Sequence, residues 1–162
     1  MWGRTKKVTI EAGSRAPSFR LKRLDGAAES LEEILAKGPA LLAFYKISCP
    51  VCQLTLPFLE RMAAGSSLQI VGISQDDDGA TRGFNQRFGV TFPTLLDQSK
   101  EGYPASNAYG LTSVPTLFLV EPDGQVTKAV AGFSKRDLEA IGGRAGIPPF
   151  RPEDNVPEWK AG

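Results

Sequence analysis

The sequence predicts an α/β fold, a sandwich of helices around a mixed central sheet. Three observations lead there. Two continuous apolar runs, Pro39 to Ile47 and Leu68 to Ser74, suit strands buried on both faces, as in parallel sheets. Segments of helical periodicity alternate with them. Late in the chain, two strand-like runs flank Pro122-Asp123-Gly124, the pattern of an antiparallel hairpin.

The elements follow in order. "APSFRLKRLDGAAES" reads as a strand and turn, with Asp25-Gly26 as the turn signal. "SLEEILAKG" reads as a helix: Ser30 caps it, Glu33 completes a capping box, and Gly38 stops it. The Pro39–Ile47 strand comes next. "QLTLPFLERMAAG" places Leu54, Phe58, Leu59 and Met62 at helical spacing, with a kink expected at Pro57. After the Leu68–Ser74 strand, "DDDGATRGFNQRFG" offers acidic first-turn residues, Phe84 and Phe88 four apart, and a stop at Gly89. "TFPTLLD" is a short strand and "YPASNAYGL" a short helix. The hairpin follows, then a last helix over "SKRDLEAIGGRAG" capped by Ser134. The tail "IPPFRPEDNVPEWKAG", rich in proline and charge, reads as an extended surface segment. Phe150 and Trp159 could dock it on the domain or on a neighbour. This divides the chain into an N-terminal arm (1–15), one folded domain (16–146) and a C-terminal tail (147–162).

With 162 residues, one domain with its own core is expected. A net charge of +1 and no Lys/Arg block argue against a nucleic-acid groove; "RTKK" reads as a short solvated arm. No apolar run is long enough to span a membrane. The opening residues lack a signal-peptide core, so if Met1 is the native start a cytoplasmic location is expected. Histidine is absent, which excludes Ser-His-Asp triads, Cys-His dyads and imidazole metal ligands.

Only two cysteines are present, Cys49 and Cys52, in "SCPVC". A closed zinc site needs four ligands and this pair supplies two, so no metal is expected. As a structural disulfide the pair would close a very short loop, with little entropic gain. Two inert buried thiols are the other plain alternative. The redox reading explains the placement better. Cys49 falls where a buried strand meets a helix N-terminus, and unpaired N–H groups and the helix dipole favour a thiolate there. Cys52, one turn on, can attack a mixed disulfide formed on Cys49. Cys49 is thus the expected exposed nucleophile and Cys52 the buried resolving thiol.

"FYKISCPVC" followed by a helix resembles the active site of the thioredoxin superfamily. Pro57, eight residues after Cys49, matches that family's kink proline. "SVPT", Ser113 to Thr116, matches its cis-proline loop, and "LFLVEPDGQV" matches the hairpin beyond it. The opening "EAGSRAPSFRLKRLDG" and the insertion "GATRGFNQRFGVTFPTLLD" are similar to the TlpA-like and AhpC/TSA-like branches. The similarity runs from about Ala12 to Gly146. It implies a thioredoxin-like three-layer sandwich with an N-terminal extension and an inserted helix and strand. It also implies a thiol–disulfide oxidoreductase acting on a disulfide-bearing protein or small-molecule disulfide, recharged by a thiol donor, with no bound cofactor. In the family, the residue before the cis-proline pairs with an extended substrate. Val114, with Pro115, would do so here.

Several positions depart from the relatives. Ser48 replaces the tryptophan before the first cysteine. Ala43 stands where thioredoxins carry a buried aspartate, and Thr55 where some TlpA-like reductases carry a glutamate. The proton of Cys52 is therefore left to water, to Thr55 or to a carboxylate from elsewhere. Lys46 has two readings, a cation tuning Cys49 or a strand-end lysine reaching solvent, and the second is favoured. Pro50, between the cysteines, is a further tuning position. The chief alternative function is a peroxiredoxin-like peroxidase, with Cys49 peroxidatic and Cys52 resolving. Its Pro-x-x-x-Thr-x-x-Cys pattern is missing, because Leu42 and Lys46 occupy the proline and threonine positions. A redox-inert binding module on the same fold is a lesser alternative, disfavoured by the two retained cysteines.

Overall fold

A computed structural model describes residues 8–65 and 67–162; the basic "RTKK" stretch lies outside them. In chain order the elements are β1 (Arg20–Arg23), β2 (Ala28–Ser30), α1 (Leu31–Leu35), β3 (Ala40–Tyr45), α2 (Pro50–Ala63), β4 (Gln69–Ser74), α3 (Asp78–Phe88), β5 (Thr94–Leu96), α4 (Pro104–Ala108), β6 (Thr116–Val120), β7 (Val126–Ala131), β8 (Phe133–Ser134), α5 (Lys135–Ala145) and β9 (Trp159–Lys160). Single 3-10 turns lie at Ser99–Glu101 and Pro152–Asp154.

The central sheet is mixed, in the order β2-β1-β5-β4-β3-β6-β7. β3 pairs parallel with β4 and antiparallel with β6; β4 pairs parallel with β5. All six residues of β3 are buried. Because side chains alternate along a strand, Leu41, Ala43 and Tyr45 enter one core with residues of α2, α3 and α5. Ala40, Leu42 and Phe44 enter a second core with α1, Ala105 of α4 and Tyr109. Two helical layers on one sheet give the expected three-layer sandwich.

Most local signals act as the sequence predicts. Ser30 and Glu33 form the capping box of α1, which ends at Leu35, ahead of the stop expected at Gly38. Asp77 caps α3, and Gly89 ends it in the left-handed region (φ 69°) that glycine adopts without a Cβ penalty. Asp25 and Gly26 turn a β1–β2 hairpin. Helix α2 begins earlier than its apolar spacing suggests, at Pro50, and continues through Pro57. Proline at the first helical position needs no N–H partner.

The insertion is fixed by polar groups. Tyr45 donates to Asn85 Oδ1 (2.7 Å), and Asn85 donates to Thr94 Oγ1 (3.1 Å), joining β3, α3 and β5 inside the protein. Each member is satisfied, so the chain of bonds specifies how α3 seats without stranding a buried polar atom.

The tail returns to the domain. Phe150 packs edge-on against Phe58 (4.9 Å between centroids) and near Phe133 (5.9 Å). Arg61 grips both carboxyl oxygens of Asp154 at 2.7 and 3.1 Å. Trp159 remains 61% exposed, although β9 pairs with β8. The Arg61 guanidinium, helped by the Arg151 N–H, pulls the Asp154 carboxyl down to about 2. A depressed carboxyl stabilises the fold above its unfolded range, roughly pH 4, and that contribution is lost as pH falls through its folded value. Asp154→Asn should therefore flatten the loss of stability between those limits, read by urea unfolding at stepped pH.

Candidate active site

Cys49 stands at the N-cap of α2, in extended backbone (φ −88°, ψ 113°). Its sulfur takes the place of a capping oxygen and accepts the Cys52 N–H at 3.1 Å. The turn before it is closed by the Cys49 N–H to the Lys46 carbonyl, 3.2 Å. Across the cleft, the Cys49 thiol donates to the Val114 carbonyl at 3.3 Å. Cys49 is partly accessible, Cys52 is fully buried, and both are free thiols. When Cys49 is ionised, the Cys52 N–H becomes a charge-assisted partner for it.

Residues 65 apart in sequence thus meet at one sulfur. The two adjoining strands, β3 and β6, pair antiparallel from Ala40–Val120 to Phe44–Thr116. That register sets the end of β3, which leads to Cys49, beside the start of β6, which follows Pro115. The Val114-Pro115 bond is cis, as the resemblance implies. Pro115 is buried and Val114 half-buried.

Burial pushes the Cys52 thiol far up from its ordinary value. The hydrogen bond to Cys49 and the charges of Cys49 and Asp76 push in the same direction, while the Lys46 backbone opposes them. Cys52 therefore keeps its proton until something removes it. Ala43, in the same core, offers no proton acceptor. Thr55 is buried and spends its hydroxyl on the Val51 carbonyl (2.7 Å). The carboxylate whose charge reaches Cys52 is Asp76, just past the end of β4, where it accepts the Ile47 N–H at 2.8 Å.

The remaining candidate positions lie on the rim. Lys46, Ser48 and Pro50 are all exposed, and Lys46 sits one residue past the end of β3. Asp76 is the residue that sequence reasoning missed. It heads the run Asp76-Asp77-Asp78, which reads as helix-start acids. Asp77 takes the cap, freeing Asp76 to turn toward the Ile47 amide. Among the described residues, no group of three His, Cys, Asp or Glu side chains gathers to hold a metal, and no helix is long and apolar enough to cross a membrane.

Comparison with known proteins bears on the family and the reaction class. ResA of Geobacillus thermodenitrificans, a thiol-disulfide oxidoreductase, is 30% identical over 141 residues, covering 83% of this chain and 78% of that one. ResA of Bacillus subtilis is 30% identical over 130 residues, covering 78% and 70%. A DsbE-type thiol:disulfide interchange protein from Chlorobium tepidum superposes with a TM-score of 0.72 at 25% identity, over 84% of this chain and 96% of that one. Residues 12–129 match the AhpC/TSA family. The fold is thioredoxin-like, and the chain belongs to the AhpC/TSA family as a redoxin of the thiol–disulfide oxidoreductase type.

Proposed function

We propose that Cys49 and Cys52 are the redox pair of this oxidoreductase and that its substrates are protein disulfides. The Cys49 thiolate attacks one sulfur of the substrate disulfide. That S–S bond breaks, the first substrate thiolate leaves and takes a proton from solvent, and a mixed disulfide remains on Cys49. Cys52 then gives up its proton, through water to Asp76, and attacks the Cys49 sulfur. The second substrate thiolate leaves, and a Cys49–Cys52 disulfide holds the pair's oxidised state. Two electrons have passed to the substrate; a thiol donor returns the pair to the dithiol. An extended substrate segment would pair with the backbone at Val114.

The observation that carries this reading is the asymmetry of the pair: an accessible sulfur at a helix start, touched by the backbone of a buried, protonated one. The family and the named relatives support the reaction class. In a reducing compartment the favoured direction is reduction of the partner.

The experiment is to compare insulin-disulfide reduction with hydrogen peroxide consumption at equal protein. Insulin reduction should dominate. Fast peroxide turnover without insulin reduction would make the protein a peroxidase instead.

A further inference from the structure

The ground next to Val114 is already occupied. After the Phe150 and Asp154 anchors, the chain runs back along the domain edge. β9 pairs with β8, Lys160 opposite Phe133 and Trp159 opposite Ser134. The Lys135 N–H bonds to the Glu158 carbonyl at 2.9 Å. Beyond β9 the chain reaches the loop that touches Cys49. Any side chain at Gly162 would collide with the Val114 carbonyl oxygen and press to 3.2 Å on the Pro115 nitrogen. Any side chain at Gly132, whose N–H bonds to the Pro115 carbonyl at 2.8 Å, would collide with the Lys160 carbonyl and come within 3.3 Å of the Gly162 nitrogen. Gly162, at the far end of this segment, thus lies against the same Val114 carbonyl that accepts the Cys49 thiol, while Trp159 and Lys160 hold to β8.

The hold on this segment is light. Its strand pairing is two residues long, and all four residues are exposed. Its neighbouring ion pair, Lys135 with Glu158, is long at 3.6 Å and open to solvent. Such a segment opens at low cost. Yet the anchors upstream tether it, so it rebinds at high effective concentration. Light pairing with a firm tether is the arrangement of a competitor, displaceable but always present.

We propose that residues 159–162 occupy the strip beside Val114 in the resting protein, and that an extended polypeptide bearing a disulfide reaches Cys49 by displacing them. A small disulfide, which needs the sulfur but not the strip, reaches Cys49 without doing so. The preferred partner is then a protein whose chain beside the disulfide is loose enough to lie extended. This rests on Cys49 being the nucleophile.

The test compares the full chain, a chain ending at Glu158, and Gly162→Leu in the full chain. Each is assayed with insulin and with 5,5′-dithiobis(2-nitrobenzoate), and folding is checked by circular dichroism. The leucine variant carries the test if the shortened chain unfolds, because it leaves the anchors intact. A competitor lowers apparent affinity by the fraction of time it occupies the site. Both changes should therefore lower KM for insulin by about fivefold or more, with kcat and the small-disulfide rate within about twofold. An unchanged or raised insulin KM would overturn the proposal, as would an equal acceleration of the small disulfide, which would mean general shielding of the sulfur. Loss of both activities in all three forms, the full chain included, would instead reject Cys49 as a redox nucleophile.

Discussion

Cys49→Ser should abolish disulfide reduction, a fall of about a thousandfold or more, because no second group on this chain can take over the attack. Cys52 cannot substitute: it is fully buried, and its thiol holds its proton well above the ordinary range. Cys52→Ser should behave differently. Its partly accessible Cys49 sulfur still attacks, but nothing releases the product, so a mixed disulfide with the substrate accumulates. Non-reducing electrophoresis separates the two outcomes: a covalent adduct with Cys52→Ser and none with Cys49→Ser. Alkylation gives the complementary reading. In the folded dithiol, iodoacetamide should modify one sulfur quickly, at Cys49, and the second only on unfolding. Two equally reactive thiols would contradict the asymmetry on which the mechanism rests.

Asp97→Ala should be among the most destabilising single changes. Asp97 is fully buried just after β5, and its carboxyl oxygens accept the Ala105 N–H (2.9 Å), the Ser106 N–H (2.7 Å) and the Ser106 hydroxyl (2.6 Å). Truncation strands two backbone donors at the start of α4. At the cost of unmade buried hydrogen bonds, the expected loss is about 3–5 kcal/mol. For a chain of this size that is a fall of about 8–15 °C in Tm, read by thermal unfolding. The damage should also reach the active site, because α4 leads directly into the segment ending at Val114. A loss of stability below about 1 kcal/mol would mean that water replaces the carboxyl without strain.

Much of this protein is written in local pattern. The fully apolar β3 could hardly be other than a central strand, and Ser30, Asp77 and Ser134 all cap the helices they precede. The cysteine pair announces its chemistry because strand, cysteine and helix follow one another within a few residues. What pattern cannot supply is selection among equivalents. Asp76, Asp77 and Asp78 are chemically alike, and only packing decides that one caps, one stays in the helix and one takes the Ile47 amide. Nor does composition reveal that a tail rich in proline and charge is held down. Its attachment includes one ring on the Phe58–Phe133 surface, one carboxyl on Arg61 and a short pairing with β8, a contact set assembled from distant parts of the chain.

The strand order carries a consequence for how such a chain can be shortened or have grown. The N-terminal hairpin does not pair with β4. It reaches the sheet through β5, the strand brought by the insertion, with Lys22 opposite Leu96 and Arg23 opposite Leu95. Arg82 of α3 reinforces the join by bonding to the Leu24 carbonyl. Two additions separated by some fifty residues of sequence are therefore a single structural module. Excising the insertion would leave the hairpin without its strand partner in the sheet, and losing the hairpin would bare the flank of β5 as an open, adhesive edge. Lineages that carry one should carry both.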